Sequence, residues 1–463
     1  MERAIIKLTL AVLGAVLLSC TAYAGEAAEA KTDKAACPEH YVKKCDTPDA
    51  KVVVPTDRPL SLKECISIAL GIHPKVKAAE ADLKAGEYRT REAIAAFWPF
   101  ASFDMNRNYT HSSRPVRVGG PIRTVTSSYI ANNFTFNTSW TLFDFGRTWF
   151  NVKTSASLED SLGSDLTASE QTVAYDVMDA YLTLLRAQSL VKVAQETKDN
   201  ADSHLKQAQA FFEVGVKPRF DVTSAEVEVN NAQLTVITSR DAVKLARYTL
   251  NVRLGIDPLT PITVEDIPIL KEPEKPLDDY YKEAVINRPE IQSLEKKLKA
   301  GEMAVKAAFS DYLPTVSASA TQSWYKEDHT DFTDSQNAQL MLDIPIFEGF
   351  LTTAKFGEAK ANYLSTRYKL EDLKLSVLQD VSNAYLLVVD AKARMETLES
   401  SVKKARENLD IAKGRYDAGV GALIEVTDAQ VNLTSAETDE AQAISGFQLG
   451  YARLMRNVGM KVK

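Results

Sequence analysis

The feature of this 463-residue chain that most restricts its fold is an internal repeat with an offset of 204 residues. Upstream of position 142, where the first segment matched at this offset begins, the offset changes to 215, because His73-Pro74 corresponds to Arg288-Pro289. The two offsets differ by 11, so the first repeat contains an insertion of that size between positions 99 and 143. We predict two tandem repeats, at 59–258 and 281–463, joined by a linker at 259–280. The matched segments are 142–144 with 346–348, 177–182 with 381–386, and 215–216 with 419–420.

Each repeat contains two runs in which apolar and polar residues alternate. After Pro99, apolar Ala101, Phe103 and Met105 are separated by polar residues, a period that is typical of a β-strand. A polar stretch at 111–128 then precedes a second alternating run. We expect strand hairpins at about 99–143 and 314–347, with the insertion in the first loop. The second hairpin is expected to carry Ile344 and Ile346 on its apolar face.

A long helical pattern follows each predicted strand hairpin. Apolar residues recur at alternating spacings of four and three, which indicates helices that pack in a coiled coil. If 151–212 is one helix, its length is about 90 Å. Gly215 and Gly419 interrupt the pattern, and a second amphipathic stretch follows each of them. We therefore expect helical hairpins at about 148–254 and 350–459.

The two faces of the predicted strands suit a membrane protein. Lipid accepts the apolar face, while a water-filled lumen accepts the Ser, Asn and Thr face. Four strands cannot close a wide barrel, and an open sheet edge is not tolerated in lipid, so several chains must share one barrel. Three chains would supply twelve strands. The alternative is a soluble α+β protein with a small exposed sheet.

The first 24 residues have the pattern of a secretory signal peptide, with cleavage after Ala24. A second processing route remains open, in which Cys20 is lipidated as in bacterial lipoproteins. Residues 25–58 are then expected to form a flexible periplasmic segment. Export would place the chain in an oxidising compartment, where Cys37 and Cys45 are a possible disulfide pair.

Composition excludes several functions. The formal charge of −7 argues against nucleic acid as a partner. The mean hydropathy of −0.20 argues against many membrane-spanning helices. The sequence has neither a catalytic serine motif nor a phosphate-binding loop, and its five histidines are scattered, so we expect no enzyme activity, no cofactor and no metal site.

Several motifs together resemble the TolC family of outer-membrane efflux proteins. One is the segment 60–74, from Leu60-Ser61-Leu62 to His73-Pro74. Others are Phe347-Glu348-Gly349 after a strand, the segment 416–420 and the segment 423–429. Their order and their twofold recurrence carry the resemblance, which covers about residues 59–459.

The resemblance implies an α+β membrane protein that forms a homotrimer. Its twelve-stranded barrel in the outer membrane, with four strands per chain, would continue as a helical tunnel across the periplasm. Such a duct serves small-molecule efflux or type I protein secretion, together with an inner-membrane transporter and a periplasmic adaptor. The alternatives are an adaptor-like protein, which would carry only one helical hairpin, and a soluble coiled-coil structural protein.

The turns at Gly215 and Gly419 are expected to form the periplasmic mouth of the tunnel. Glu425 and Asp428 follow the second turn at a spacing of three, and thus lie on one helical face. Three chains would provide a ring of about six carboxylates that favours cations.

The resemblance assigns the constriction to Glu425 and Asp428 and a closing contact to Tyr416 with Asp221. It also implies that Gly421 stands where the best-known family member has a closing arginine.

Overall fold

The computed structural model describes residues 58–117, 119–268, 275–328 and 330–460. The predicted signal peptide and the cysteines at positions 20, 37 and 45 lie outside the described residues. The elements in chain order are α1 (Leu62–Ile72), α2 (Pro74–Ala95), β1 (Phe100–Val116), β2 (Arg123–Phe143), α3 (Arg147–Glu213), α4 (Arg219–Leu254), α5 (Leu277–Asn287), α6 (Pro289–Ser310), β3 (Thr315–Glu327), β4 (Thr333–Asp343), α7 (Leu351–Asp417) and α8 (Leu423–Asn457).

The chain divides into two compact units. The strand unit contains the described residues of 87–157 and 299–364. The helical unit contains the described residues of 58–86, 158–298 and 365–460. Each unit draws on both repeats, so neither corresponds to one repeat alone.

The strand unit contains a four-stranded antiparallel sheet in the order β1-β2-β3-β4. One face is apolar, because Phe103 pairs with Phe136 and Met105 with Phe134 across β1 and β2. The opposite face is polar and joined by side-chain hydrogen bonds. Asn137 lies at its centre, where its amide donates to Asp104 at 3.1 Å and its oxygen accepts from Thr321 at 3.1 Å. The two faces have the chemistry expected of strands between lipid and water.

The prediction that the first loop holds the insertion is wrong. β1 and β2 continue through the polar stretch and leave a loop of only 117–122, against 328–332 in the second hairpin. Cross-strand contacts hold this extension together, including His111 Nδ1 to Ser128 Oγ at 2.7 Å and Ser113 Oγ to Thr126 Oγ1 at 2.9 Å. Polar side chains that pair across the two strands hold this extension together, although it has no apolar face. The prediction relied on alternating apolar and polar residues, so it missed the extension.

The predicted end of the second hairpin also differs from the structure. β4 ends at Asp343, so Ile344 and Ile346 follow the strand. Pro345 stands between them and has no backbone N–H to donate to a neighbouring strand. The apolar alternation therefore continues in sequence beyond the point where strand pairing stops.

The helical unit repeats its core at the offset found in the sequence. Val177, Ala180 and Leu254 are buried in repeat 1, and their counterparts Val381, Ala384 and Val458 are buried in repeat 2. Cys65 lies in the first of these clusters as a free, fully buried thiol, and burial raises its pKa to about 12. Among the helices of the described residues, none combines the length and the apolarity needed to cross a membrane.

One buried hydroxyl ties the chain segments of repeat 1 together. The fully buried Tyr181 hydroxyl lies 2.9 Å from the carbonyl oxygen of Leu60 and 2.8 Å from that of Glu265, and these two acceptors share its single hydrogen. Leu60 also forms a parallel bridge with Val264. The segment before α1 and the segment after α4 are thus fixed to the middle of α3.

Candidate constriction site

A glycine lies in the turn that follows each of the two longest helices, α3 and α7. Gly215 has φ +78° and Gly419 has φ +75°, a left-handed conformation that other residues adopt only with strain. The Gly419 amide donates to the Tyr416 carbonyl at 3.0 Å, and the Val420 amide donates to that of Arg415 at 3.1 Å. The turn after α3 has the same pattern. These bonds satisfy the last carbonyl groups of each helix and reverse the chain.

Gly421 packs directly against the end of α7. Its amide donates to the Arg415 carbonyl at 2.9 Å, and its own carbonyl accepts from Lys217 Nζ at 3.2 Å. A Cβ at this position would lie 3.0 Å from both the Arg415 carbonyl carbon and the Tyr416 nitrogen. In this turn the two backbone segments approach so closely that a side chain at position 421 would require them to move apart by a few tenths of an ångström.

Replacing Gly421 by alanine is therefore expected to lower the free energy of unfolding by about 1–3 kcal/mol, because the new methyl group meets rigid backbone. Gly414 is a matched control within α7, since nothing lies within 4 Å of its would-be Cβ. Gly414→Ala should instead raise stability by about 0.5–1 kcal/mol, through helix propensity. Thermal unfolding followed by circular dichroism at 222 nm would measure both, and equal shifts for the two variants would contradict the expectation.

Glu425 and Asp428 lie in the first turns of α8, and both line one groove on the helical unit. Arg415 lines the same groove, and its Nε donates to Glu425 Oε2 at 3.1 Å. This hydrogen bond, followed by one from the backbone of Ala422, lowers the pKa of Glu425. The carboxylate is thus ionised at neutral pH and has a cationic partner in its own chain.

Tyr416 is buried, with 1% of its surface exposed. Its ring meets Phe211 edge-on at 5.6 Å between centroids, and Lys217 Nζ lies 5.1 Å from the ring centre. Burial and then the charge of Asp221 raise the pKa of the hydroxyl. Among the described residues, however, this hydroxyl has no hydrogen-bond partner. Asp221 is thus near enough to Tyr416 to affect its hydroxyl, but no hydrogen bond joins the two side chains in the described residues.

Three basic residues near this site were missed by the sequence interpretation. Arg415 and Lys217 contact the predicted residues Glu425 and Tyr416, and His204 on α3 is buried close to Glu228 of α4. The sequence does indicate that His204 is buried, because this residue falls between Ala201 and Ala208, two core positions of the helical pattern. In the part of the chain that the structure describes, no cluster of His, Cys, Asp and Glu has an arrangement suited to a metal ion.

The family model for outer membrane efflux proteins matches residues 65–255 and 280–459, which is most of the chain. The chain belongs to this family. The two matched segments correspond to the two repeats, and they include Asp221, Tyr416, Glu425 and Asp428.

Characterised relatives match over most of their length. The chain is 25% identical to Protein CyaE of Bordetella pertussis over 390 residues, covering 82% of this chain and 81% of CyaE. It is 22% identical to the alkaline protease secretion protein AprF of Pseudomonas aeruginosa over 418 residues, covering 87% and 85%. The outer membrane protein TolC of Escherichia coli is 20% identical over 403 residues, covering 84% and 80%.

Solved structures show the same fold. The outer-membrane channel OprN superposes with a TM-score of 0.75 at 20% identity, covering 93% of this chain and 98% of OprN. The CmeC outer membrane channel of Campylobacter jejuni gives 0.76 at 16% identity, covering 89% and 90%. The predicted fold class, an α+β outer-membrane channel whose chain carries four strands and long helical hairpins, is confirmed by these channels.

Family membership also establishes the general function and the location. This outer membrane efflux protein is a channel of the efflux and secretion class. It is located in the outer membrane and extends into the periplasm. The alternatives of a soluble coiled-coil protein and a periplasmic adaptor are therefore set aside.

Proposed function

We propose that three copies of this chain form an exit duct that works with a periplasmic adaptor and an inner-membrane transporter, and that the duct itself catalyses no reaction. Residues 59–258 and 281–463 would be its two repeats, joined by 259–280. The observation that carries this function is the occurrence in one chain of the two-faced sheet and of the acidic site beside the Gly419 turn. A lipid-facing wall and a charged mouth are what a passive duct requires.

The constriction would combine charges from all three chains. Each chain contributes Glu425 and Asp428, which gives about six carboxylates in the ring. Arg415 lies among them and carries a positive charge at every relevant pH. Each chain thus adds a net charge of about −1, so the ring should prefer cations moderately rather than strongly.

The cargo is either a secreted protein or a small molecule. AprF is named for the secretion of an alkaline protease, whereas BepC of Brucella suis, 24% identical over 307 residues, is named as an efflux protein. We propose that the inner-membrane partner selects between these classes. Crosslinking in the native host, followed by purification of this chain, would identify that partner by its transporter class.

Removal of both carboxylates tests the acidic constriction. Glu425→Ala with Asp428→Ala would leave three Arg415 side chains, one from each chain, as the charged groups of the ring. The net charge of the ring would change from about −3 to about +3. The expected result is a reversal from cation to anion preference, together with loss of block by multivalent cations. Reversal potentials of single channels in a planar bilayer with a salt gradient would measure the change.

Asp439 is the matched control for this test. It lies on α8 three turns beyond Asp428, which places it on nearly the same helical face about 16 Å away. That distance is about twice the Debye length at physiological salt, so Asp439→Ala should leave the selectivity unchanged. Unchanged selectivity in the double variant, with normal channel yield, would remove these two residues from the constriction.

A further inference from the structure

The two hairpin loops lie at one end of the sheet, and the helices join it at the other end. β1 and β3 begin next to helices and β2 and β4 end next to helices, whereas the loops at 117–122 and 328–332 connect the opposite strand ends. In the proposed duct the helices lead into the periplasm, so these loops face the cell exterior. Side chains near this end of the apolar face therefore meet the outer leaflet of the outer membrane.

A row of cationic and polar side chains crosses the apolar face near this end. Arg107 of β1 pairs with Asn132 of β2, and Asn132 pairs with Lys326 of β3. We call these three residues the cationic row. The next row toward the periplasmic end contains Phe134 paired with Trp324. Because side chains two positions apart on a strand share a face, the cationic row lies on the same face as these aromatic residues.

The length of β3 places the cationic row at the edge of the hydrocarbon layer. At the periplasmic end, the apolar face begins with a row in which Phe143 pairs with Val316 and Val316 with Leu342. Lys326 lies ten positions beyond Val316 on β3, which is about 33 Å along the strand. At the tilt of about 35–45° that membrane barrels have, this length spans about 25 Å, the height of their apolar band.

Aromatic side chains flank the row, as they do at the interfaces of membrane barrels. Lys326 Nζ lies 5.1 Å from the ring centre of Phe332, and that ring lies 6.2 Å from the ring of Phe134. Tyr109, in the next row outward, pairs with Ile130 and is exposed. The aromatic contacts hold the Lys326 ammonium group against the apolar face, at the level indicated by the strand length.

The two cations have no acidic partner in the part of the chain that the structure describes. Arg107 and Lys326 take part in no ion pair there. Two carboxylates lie near the row. Asp328 Oδ2 accepts from a backbone N–H of β2 at 2.9 Å, and Asp334 on β4 lies one row closer to the membrane centre. From 105 to 143 the sequence has four arginines and no acidic residue, so the Arg107 side of the row is uniformly basic.

We propose that the cationic row binds phosphate groups of the glycolipid in the outer leaflet, the lipid A part of lipopolysaccharide. Arg107 and Lys326 are separated by two strand spacings, about 10 Å between backbones, so their long side chains can reach one phosphate from both sides. Guanidinium and ammonium groups are the common protein donors to phosphate, and Asn132 adds an amide donor between them. The acyl chains would lie along the apolar rows below. The proposal rests on the proposed function for the orientation of the sheet.

Binding of diphosphoryl lipid A to the full-length channel in detergent tests this proposal. Native mass spectrometry would give dissociation constants for this lipid and for the same lipid after removal of its phosphates. The parent chain should bind the phosphorylated lipid at least tenfold more tightly. Arg107→Gln with Lys326→Gln should remove most of this preference, whereas Arg107→Lys with Lys326→Arg, which keeps both charges, should retain it. An equal concentration of inorganic phosphate should not displace the lipid.

Arg114→Gln with Arg123→Gln is the matched control. It removes the same charge from the β1–β2 hairpin, but the strand register places both side chains on the face opposite to the cationic row. This variant should keep the preference for the phosphorylated lipid. The proposal is wrong if the parent binds both lipids equally, if inorganic phosphate displaces lipid A, or if the two glutamine variants lose affinity equally. Absence of channels from the parent chain in planar bilayers would instead refute the proposed function.

Discussion

Gly459→Ala is expected to lower the free energy of unfolding of the helical unit by about 2–4 kcal/mol, through backbone strain and steric overlap together. Gly459 has φ +79°, a left-handed conformation in which a side chain costs about 1–2 kcal/mol. In addition, a Cβ there would lie 2.7 Å from the carbonyl carbon and oxygen of Asn287 and 2.8 Å from the Arg288 nitrogen. These are backbone atoms, so the structure must shift to relieve the overlap.

The repeat provides a matched control for this substitution. Gly255 occupies the corresponding position of repeat 1, ends α4 in the same conformation with φ +80°, and has His73 Cα at 3.3 Å as the nearest atom to a built Cβ. Gly255→Ala should therefore lower the free energy of unfolding by less, about 1–2 kcal/mol, because it introduces the backbone strain but a much weaker steric overlap. Chemical unfolding in detergent, followed by circular dichroism, would compare the two. A smaller loss for Gly459→Ala than for Gly255→Ala would contradict the role of the close contact.

Lowering the pH from 7.5 to 5 is expected to destabilise the helical unit through His204. This side chain is 5% exposed, and neither ring nitrogen has a hydrogen-bond partner among the described residues. Burial first, and then the charge of Lys413, lower its pKa to about 4, whereas Asp417 acts in the opposite direction. Its Nδ1 lies 4.0 Å from Glu228 Oε1, but at neutral pH the imidazole is uncharged, so this contact is not an ion pair.

The sign of the effect follows from the two states of the chain. Unfolded His204 binds a proton below about pH 6.5, whereas the folded chain does so only near pH 4. Between these values acid favours the unfolded chain, and the loss of stability that has accumulated at pH 5 is about 2 kcal/mol. Glu228 opposes this loss, because its burial raises its pKa and the folded chain takes up a proton more readily.

His204→Asn is the variant that tests this, since Asn408 occupies the corresponding position of repeat 2. The parent chain should lose stability between pH 7.5 and 5, and His204→Asn should show a shallower dependence. Glu228→Gln, which removes the opposing group, should steepen it. Unfolding midpoints at several pH values would give the slopes. Identical slopes for the parent and His204→Asn would exclude His204 as the acid-sensitive group.

The amino-acid sequence determined the architecture of this channel because the decisive signals are local. Alternation of apolar and polar residues predicted the sheet, the four-three spacing predicted the long helices, and Gly215 and Gly419 marked their ends. The constant offset between matching segments then showed that both halves use the same plan. The alternation, the spacing and the glycines can each be read within one element, and the offset can be read by comparing the two halves of the sequence. None of these signals requires knowing what an element packs against.

Only the tertiary structure decided which side chains meet. The extension of β1 to Val116 depends on partners in β2, and the bond between Arg415 and Glu425 joins α7 to α8 across a turn. The surroundings of His204 likewise depend on α4, which brings Glu228 to it from another part of the chain. Periodicity shows on which face of a helix or strand a residue lies. The burial, the charge pairing and the pKa of that residue depend on the element that packs against this face. Those neighbours are distant in sequence, so the geometry of the candidate constriction site had to come from the fold.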